Sequence, residues 1–294
     1  MKLSSVGEFG LIERLTRGLR YDRSVVKGVG DDCAVVDFDR TRFMLFCSDM
    51  IVEDVDFTLR DRPGLIGRKA LAVNLSDIAA CAGIPRYCTV SLGLPKRCGL
   101  VFAERLYRGI RSLASRFKVN IVGGDISKAA KLTIDVSVIG FVEKTKLALR
   151  SGARPGDIIC VSGKLGNSLA GKHLQFTPRV GLARWLACHC RLHAMIDISD
   201  GLAADLGHIL VQSKAGARLY ARCIPCVKGL DAALHDGEDF ELLFTLAPRE
   251  AKKALAAGRG ISAIGEIVAP RYGVRLVDAA GRESMLEPKG YRHF

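Results

Sequence analysis

The amino-acid sequence predicts an α+β protein built from two domains. The chain has 294 residues, enough for two medium-sized hydrophobic cores. Apolar runs typical of strands and amphipathic runs typical of helices mix through both halves. Residues 150–157 interrupt this pattern with two glycines, a proline and charged side chains. We therefore predict an N-terminal domain over residues 1–149 and a C-terminal domain over residues 150–294.

The N-terminal half begins with a predicted helix. Phe9, Ile12, Leu15 and Leu19 recur at helical spacing within residues 8–19, which indicates an amphipathic helix. Later apolar runs predict strands, and two longer stretches of small and apolar residues predict helices. The predicted strands cover residues 33–38, 43–48, 87–94, 119–122 and 132–142, and the two helices cover residues 65–82 and 101–117.

The C-terminal half repeats this mixture of elements. Its pattern predicts a strand over residues 158–162, a glycine turn, and a helical segment from residue 167 toward residue 172. A helix over residues 201–212 and a strand over residues 241–246 follow. Both halves are therefore expected to combine a sheet with helices.

Charge and composition limit the classes of partner. Forty-four Lys and Arg residues against 31 Asp and Glu residues give a net charge of +13, which suits nucleic acid, anionic membranes or small anions. The basic residues are dispersed and only 6% of residues are aromatic, which argues against nucleic acid. No apolar run approaches the ~20 residues of a membrane span, and residues 1–23 lack the apolar core of a signal peptide. We expect no membrane span and a cytoplasmic location.

Ten cysteines in such a chain are expected to be reduced thiols. Most lie in apolar runs, where cysteine acts as a small hydrophobic residue. Structural zinc is the alternative. Its candidate ligands are Cys188, His189, Cys190 and His193, together with Cys223 and Cys226.

Six short acidic clusters are the most informative feature of the chain. If their carboxylates converge, they require bound cations, and Mg²⁺ carrying polyphosphate oxygens suits them best. Each cluster alone is also typical of a turn or a helix cap. Together they predict a Mg²⁺-dependent enzyme that handles phosphate groups. The clusters are Gly30-Asp31-Asp32, Ser48-Asp49, Asn74-Leu75-Ser76-Asp77, Gly123-Gly124-Asp125, Asp197-Ile198-Ser199-Asp200-Gly201 and Gly237-Glu238-Asp239.

The predicted elements give these clusters positions. Ser48 and Asp49 are expected to close one strand, and Gly123-Gly124-Asp125 another, where backbone N–H groups could meet phosphate oxygens. Asn74 and Asp77 lie three residues apart and share one face of a helix. Because that helix is otherwise apolar, a charged Asp77 needs a partner or a metal ion.

Several motifs carry a family resemblance. In chain order they are Gly7-Glu8-Phe9, Gly28-Val29-Gly30-Asp31-Asp32, Lys69 to Asp77, Asp197 to Leu202, Gly237 to Leu242, and Lys289-Gly290-Tyr291 with Phe294. Together they resemble thiamine-monophosphate kinase, a family in the aminoimidazole-ribonucleotide-synthetase-like superfamily. The resemblance implies a two-domain fold, with an N-terminal mixed α/β domain for ATP binding and dimerisation and a C-terminal α/β domain completing the substrate cleft. It also implies ATP with several Mg²⁺ ions as cofactors, and direct phosphoryl transfer to thiamine monophosphate, giving thiamine diphosphate.

The resemblance also implies roles for individual residues. The implied Mg²⁺ ligands are Asp32, Ser48, Asp49, Asp77, Asp125, Asp197 and Asp200. Of these, Asp49, Asp77 and Asp200 are expected to act in catalysis. The implied ATP contacts are Gly124, Asp125, Arg150 and Ser199, and those with thiamine phosphate are Asp56, Glu238 and Tyr291.

Two positions depart from the family pattern. Asp56 stands where relatives often carry His, and it could weaken the acceptor phosphate site or contact the thiamine cation. Cys47 replaces a hydroxyl residue near the metals, where a backbone carbonyl could serve instead. Two alternatives stay open. One is a superfamily enzyme with another acceptor, and the other is a catalytically silent relative that binds nucleotides or nucleic acid.

Overall fold

The computed structural model describes residues 6–291 of the protein. Its N-terminal part folds into three helices and six strands within that range. In chain order they are α1 (Glu8–Thr16), β1 (Val25–Lys27), β2 (Ala34–Asp37), β3 (Arg42–Val52), α2 (Pro63–Ala80), β4 (Ile84–Leu94), α3 (Leu100–Phe117), β5 (Asn120–Lys128) and β6 (Thr133–Glu143).

The C-terminal part contributes five helices and seven strands to the described chain. They are β7 (Ile158–Ser162), α4 (Lys172–Gln175), α5 (Val180–His189), β8 (Leu192–Asp197), α6 (Leu202–Ser213), β9 (Gly216–Tyr220), α7 (Leu230–His235), β10 (Leu242–Leu246), α8 (Pro248–Ala256), β11 (Ile261–Val268), β12 (Val274–Val277) and β13 (Glu283–Met285).

The first sheet has six strands in the order β1-β2-β3-β6-β4-β5. All its pairs are antiparallel except the parallel pair of β4 and β5. Alternate residues of β6 are buried, as expected for a strand with one face on a core. Helix α3 packs against α2 with a stripe that includes Leu106, Ile110 and Leu113. The two helices thus cover one face of the sheet.

The other face of the first sheet is open. It carries several large apolar side chains that solvent reaches in the single chain, and β5 at the sheet edge is exposed along almost its whole length. Exposed apolar patches of this kind mark interaction surfaces. These side chains are Phe46, Met50, Tyr87 and Val122.

The second sheet has seven strands in the order β13-β12-β9-β11-β7-β10-β8. All five residues of β10 are buried, because helices cover the central strands on both faces. Leu206 of α6 packs on one face with Ile159 and Val161 of β7. Leu186 of α5 and Ala254 of α8 pack on the opposite face.

Helix α2 joins the two sheets. Thirteen of its 18 residues are buried, because it contacts β3, β6 and α3 on one side and α4, α5 and β8 on the other. Ala79 and Ala82 belong to the same apolar cluster as Leu186 of α5. Arg184 of α5 donates hydrogen bonds to the Ala82 carbonyl and to Glu143, at 2.7 and 2.8 Å. The helix is therefore fixed relative to both halves of the molecule.

Most predicted elements are present, and two predictions of strand ends are wrong. Strand β3 continues through Ser48 and Asp49 to Val52, because all eleven of its residues pair with β6. Strand β5 likewise runs through Gly124 and Asp125 to Lys128, because it stays paired with β4. The glycine pair does not end the strand.

Smaller differences concern the helices. The first helix ends at Thr16 and not at Leu19. The predicted helical segment after residue 167 is a 3-10 turn, Ser168–Ala170, followed by α4. The predicted domain boundary after residue 149 lies in the connection between β6 and β7 and stays a prediction. Among the described helices, none combines the length and the apolar character that a membrane crossing requires.

Candidate active site

Three carboxylates meet between the two sheets. Asp32 follows the turn before β2, Asp77 lies on α2, and Asp197 ends β8. One carboxylate oxygen from each lies within 4.8 Å of the others. Asp32 and Asp197 are buried, whereas Asp77 is partly exposed. Both halves of the chain therefore supply the cluster.

Asp49 joins this cluster from the middle of β3. Its carboxyl group lies within hydrogen-bonding reach of Asp77. Its backbone N–H donates to the side-chain oxygen of Asn74 at 3.1 Å, and the thiol of Cys47 lies 3.5 Å from the Asn74 carbonyl. Asn74 thereby attaches β3 to α2, and the shared face predicted for Asn74 and Asp77 is directed at this strand.

Arg150 approaches the cluster from the connection between the sheets. Its guanidinium nitrogen Nη2 donates to Asp32 at 2.7 Å, and its backbone N–H donates to Asp31 at 3.2 Å. The second Asp32 oxygen, Oδ2, is buried without a hydrogen-bond partner in the described part of the chain. A buried carboxylate oxygen without a hydrogen bond, beside other carboxylates, is a ligand suited to a cation.

Burial and mutual repulsion raise the pKa values of these carboxyl groups. Burial, followed by the charge of Asp32, raises the pKa of Asp197 to about 7. The same two causes raise the pKa of Asp31 to about 6. Burial chiefly raises the pKa of Asp77 well above its usual range, with a contribution from Asp49. A bound divalent cation would remove this penalty by stabilising the ionised forms.

The loop after β8 carries Ser199 and Asp200. Asp205 of α6 holds it, because Oδ2 of Asp205 accepts hydrogen bonds from the backbone N–H groups of Ser199, Asp200 and Gly201 at 3.0, 3.0 and 3.1 Å. Burial, and then the charge of Asp200, raise the pKa of Asp205 well above its usual range. Asp205 thus fixes the backbone of the predicted ATP-contacting loop.

The three residues predicted to contact thiamine phosphate lie together. The backbone N–H of Glu238 donates to the Ser199 carbonyl at 2.6 Å, and that of Tyr291 donates to the Asp200 carbonyl at 3.0 Å. Burial raises the pKa of the Tyr291 hydroxyl, with contributions from the negative charges of Asp56 and Glu238. This group therefore adjoins the predicted ATP-contacting loop.

Glu238 differs from its acidic neighbours. Asp239 accepts a hydrogen bond from the Gly166 N–H at 2.7 Å, and Glu241 forms a two-bond pair with Arg179, at 2.6 Å for each bond. Oε2 of Glu238 is buried and has no hydrogen-bond partner among the described residues. Oδ1 of Asp239 also lacks a hydrogen bond there, but it lies 3.5 Å from the Lys172 amine. Glu238 is thus the carboxylate of this segment whose second oxygen has neither a hydrogen bond nor an ion pair among the described residues.

Two predicted site positions lie apart from the cluster. The Ser48 hydroxyl is on the open face of the first sheet, where it bonds to Asp135 at 3.1 Å and to Ser137 at 2.9 Å. Asp125 lies on edge strand β5, beside Ser91 of β4. Asp49 is three strand spacings from β5, on the order of 14 Å. A single chain does not bring Asp125 to the cluster.

Gly124 lies on the same edge strand. A side chain there would collide with the carbonyl group of Val90, so the close approach of β5 to β4 requires glycine. Gly124 is exposed to solvent in the single chain.

The sequence reasoning missed three residues of the site. Lys69 and Ser76 lie within the motif from Lys69 to Asp77, yet they were given no role. Asp205 lies in the first turn of α6. Acidic residues are common in that position because they interact favourably with the helix dipole, so the sequence alone gives Asp205 no special role. Lys69 could have been found, because a lysine in an otherwise apolar helix needs a buried partner.

The alternative zinc ligands have other contacts. His193 bonds to Asp157 at 2.8 Å, His189 bonds to the Trp185 carbonyl at 2.8 Å, and Cys188 lies 2.8 Å from the Lys146 amine. Across residues 6–291, the groupings with metal-binding geometry consist of aspartates alone or of aspartates with Cys81 or His208. The structure gives the zinc alternative no support.

The fold and the carboxylate cluster define the class of protein. Residues 30–142 match the family described as AIR synthase related protein, N-terminal domain. A solved structure of hydrogenase maturation protein HypE in complex with ATP has the same fold, with a TM-score of 0.71 at 22% identity over 94% of each chain. The chain therefore has an AIR synthase-related N-terminal domain and the fold of that solved structure.

Within that class, the chain belongs to the thiamine-monophosphate kinase family. It is 36% identical to a thiamine-monophosphate kinase of Rhodopirellula baltica over 92% of both chains. It is 34% identical to that of Bacillus subtilis over 98% of this chain and 99% of the relative. The structure of AaThiL complexed with AMPPCP and TMP matches with a TM-score of 0.88 at 31% identity, covering 100% of this chain and 99% of that chain. The predicted family, fold class and kinase class are confirmed.

Proposed function

We propose that the protein transfers the γ-phosphoryl group of ATP to thiamine monophosphate, giving thiamine diphosphate and ADP. The observation that carries the proposal is the convergence of Asp32, Asp77 and Asp197 beside the group formed by Glu238 and Tyr291. One end of this cleft suits metal-bound polyphosphate, and the other suits a small cationic acceptor. The match over the whole chain to a structure holding AMPPCP and TMP supports the same assignment.

The carboxylates fit Mg²⁺. Oxygen donors at this density, with one buried oxygen unpartnered, suit a hard divalent cation. Asp32, Asp49, Asp77 and Asp197 would hold the ions, with Asp200 adjoining. When bound, Mg²⁺ would neutralise phosphate oxygens of the nucleotide and favour in-line transfer between two anions.

The chain's own groups position the reactants. Arg150 presents a guanidinium at the cluster and would bind phosphate in competition with Asp32. Ser199 offers its hydroxyl from a loop held by Asp205. Asp56, Glu238 and Tyr291 would bind the acceptor, with the negative charge of Asp56 beside the thiamine cation. The acceptor phosphate is largely ionised near neutral pH, so no strong base is required.

We further propose a homodimer in which the partner's Asp125 completes the site. The open sheet face carries exposed Phe46, Met50 and Tyr87, and β5 presents an unpaired edge. Strand β2 pairs only with residues 43–46 of β3, so in the described chain the second half of β3 is paired on the β6 side alone. A second copy placed against this surface would bring Gly124 and Asp125 toward Asp49.

The catalytic proposal is tested by product formation. Purified protein with ATP, Mg²⁺ and thiamine monophosphate should form thiamine diphosphate, and EDTA should abolish the reaction. Thiamine in place of thiamine monophosphate serves as the acceptor control. Folded protein that binds ATP but forms no thiamine diphosphate would overturn the acceptor assignment. A cytoplasmic location stays a prediction.

Mixing two inactive variants tests the dimer. In Asp77→Asn the chain keeps a normal Asp125, and in Asp125→Asn it keeps a normal Asp77. If Asp125 acts across the interface, mixed dimers hold one intact site of two, so random reassembly restores about a quarter of wild-type activity. If Asp125 acts within its own chain, mixing restores nothing. Light scattering after the mixing step reports whether dimers form.

A further inference from the structure

Lys69 is the largest fully buried side chain described in the structure and carries a positive charge. Only 1% of it is exposed to solvent. A buried ammonium group is costly unless hydrogen-bonded anions or carbonyls surround it. Its amine Nζ donates to the backbone carbonyl of Asp56 at 2.7 Å and to Oε1 of Glu238. Both of these hydrogen-bond partners of Lys69 belong to the proposed acceptor site.

These partners come from different parts of the chain. Asp56 lies in the turn after β3, in the N-terminal half, whereas Glu238 precedes β10 in the C-terminal half. Lys69 itself lies on α2, two helical turns before Asp77. A single amine therefore ties together two acceptor-side segments and the helix that carries a candidate metal ligand.

The contact with Glu238 also determines which of its oxygens is free. Oε1 is occupied by Lys69, while Oε2 is buried and without a hydrogen-bond partner in the described residues. Glu238 has a backbone φ of 63°, a conformation that costs a side-chain-bearing residue energy and persists when its surroundings hold it. Two contacts hold Glu238 in this conformation. One is the contact with Lys69, and the other is the hydrogen bond from the Ser168 hydroxyl to the Glu238 carbonyl at 2.6 Å.

We propose that Lys69 is a positioning residue for the acceptor substrate, acting through Glu238. It holds the Glu238 carboxylate so that Oε2 faces the acceptor, and it holds the Asp56 turn against the same space. This inference rests on the proposed function, because it assumes that Glu238 contacts thiamine phosphate. It assigns to Lys69 no contact with ATP or with the metal ions.

The test compares the KM for thiamine monophosphate with the KM for ATP in steady-state kinetics. Lys69→Met keeps an unbranched apolar side chain, shorter by one atom, and removes the charge. We expect the KM for thiamine monophosphate to rise by about 10- to 100-fold, the effect of losing a charged hydrogen bond. The KM for ATP should change by less than about 3-fold, since the metal cluster is untouched. Equal increases in both KM values would indicate a general loss of structure and would overturn the proposal.

Arg184→Met is the matched control. Arg184 also joins the two halves through one backbone carbonyl and one carboxylate, Ala82 and Glu143, but outside the cleft. Its loss should lower thermal stability and leave the KM for thiamine monophosphate within about 3-fold of wild type. A selective rise in this KM in Arg184→Met would show that any broken contact between the halves has the effect, which would overturn the role of Lys69.

A double-mutant cycle tests whether Lys69 acts through Glu238. Glu238→Gln should raise the KM for thiamine monophosphate, and adding Lys69→Met should raise it by less than about 3-fold further. Multiplicative effects would overturn the coupling. If Lys69→Met alone does not fold, Glu238→Gln can still be compared with the double variant, in which both charges are removed. This comparison also decides whether Lys69 acts through Glu238. An inactive wild-type protein would reject the proposed function, whereas an active one with normal acceptor KM in Lys69→Met would reject only this inference.

Discussion

The hydroxyl of Ser76 on α2 donates a hydrogen bond to Oδ2 of Asp197 at the end of β8. Both side chains are buried, and they belong to different halves of the chain. Because Ser76 lies next to Asp77 in sequence, one turn of α2 contributes to the carboxylate cluster and also holds a carboxylate from the second sheet. The geometry of the cluster therefore depends on how the two sheets are joined.

Ser76→Ala should raise the Mg²⁺ concentration that the protein needs for activity, and it should do so more at neutral than at alkaline pH. The Ser76 hydrogen bond opposes the rise in the pKa of Asp197 that burial and Asp32 cause. Without it the pKa rises above about 7, so more Asp197 is protonated at neutral pH and Mg²⁺ binds more weakly. We expect the Mg²⁺ concentration for half-maximal activity to rise several-fold at pH 7 and less at pH 8.5.

Ser162→Ala is the control for Ser76→Ala. Ser162 also donates a buried hydrogen bond to a carboxylate, Glu241, at 2.7 Å. Glu241 lies outside the carboxylate cluster. Ser162→Ala should lower stability by about 1 kcal/mol without a pH-dependent Mg²⁺ requirement. The same pH dependence in both variants would show that Ser76 acts through general stability alone.

Asp77→Asn should abolish phosphoryl transfer while leaving a folded protein. The variant removes a carboxylate from the centre of the cluster but keeps the size of the side chain. Because the cluster would stabilise transition-state charge, we expect kcat to fall by at least about 100-fold. The same substitution at Asp37, which pairs with Lys144 on the surface of the same domain, should leave kcat unchanged. Near-normal kcat in folded Asp77→Asn would contradict the metal cluster.

Much of this site follows from local sequence. An otherwise apolar α2 with Asn74 and Asp77 on one face required a polar contact, and the structure provides one with β3. The ends of β3 and β5 did not follow, because glycine and aspartate usually end strands. Here, pairing along the whole of β6 and β4 outweighs that preference. The strand propensity of a local segment does not account for the hydrogen bonds that its partner strand offers.

Contacts between distant segments could not be predicted from the sequence either. Lys69 meets Glu238 across 169 positions, and Ser76 meets Asp197 across 121. Nothing in the spacing of either residue specifies its partner. Asp205 resembled an ordinary acid in the first turn of a helix until its three backbone hydrogen bonds were visible.

Asp205→Asn should disturb the loop that carries Ser199 and Asp200. The amide has one oxygen where the carboxylate has two, and it is uncharged, so its hydrogen bonds to backbone N–H groups weaken. We expect stability to fall by about 1–3 kcal/mol and kcat to fall more than in a matched variant. That variant is Asp157→Asn, which weakens a similar hydrogen bond to the Arg154 N–H outside the cleft. Equal losses of kcat would contradict a specific role for the loop.

Stabilisation by Mg²⁺ should increase with pH. The folded-state pKa values of Asp31 and Asp197, about 6 and about 7, lie above the ordinary 3.8. A raised pKa means that the metal-free fold binds these protons more tightly than the unfolded chain, so its stability falls as pH rises from about 4 to about 7. Burial lowers the pKa of His208 to about 4 from 6.5, which has the opposite effect below pH 6.5.

The Mg²⁺-induced rise in Tm, measured at several pH values, separates metal binding from the pH dependence of the metal-free protein. Metal binding requires ionised carboxylates, so the rise should be small at pH 5.5 and largest near pH 8. Asp197→Asn should reduce the rise at pH 8, because it removes a carboxylate from the cluster. Differential scanning fluorimetry with and without Mg²⁺ measures the rise, with Na⁺ at matched ionic strength as the control. A rise that is independent of pH would contradict binding at this cluster.

Arg150→Met should produce a loss of stability that Mg²⁺ reverses. Arg150 is the cation that bonds to Asp32, whose side chain is 1% exposed. Removing it leaves buried carboxylates without that partner, at a cost of about 3 kcal/mol in the free energy of unfolding. Mg²⁺ at the same carboxylates would restore much of this loss, since it supplies the missing positive charge. Urea unfolding with and without saturating Mg²⁺ measures both values.

Arg179→Met shows whether this rescue is specific. Arg179 forms a comparable pair with Glu241, whose side chain is 2% exposed, but this pair lies away from the cluster. Its loss should lower the free energy of unfolding by a similar amount, and Mg²⁺ should add no more than it adds to the wild-type protein. Rescue of Arg150→Met alone would locate the bound cation at Asp32, because only there does the ion replace the lost guanidinium. Equal rescue of both variants would indicate a nonspecific salt effect and contradict the metal site.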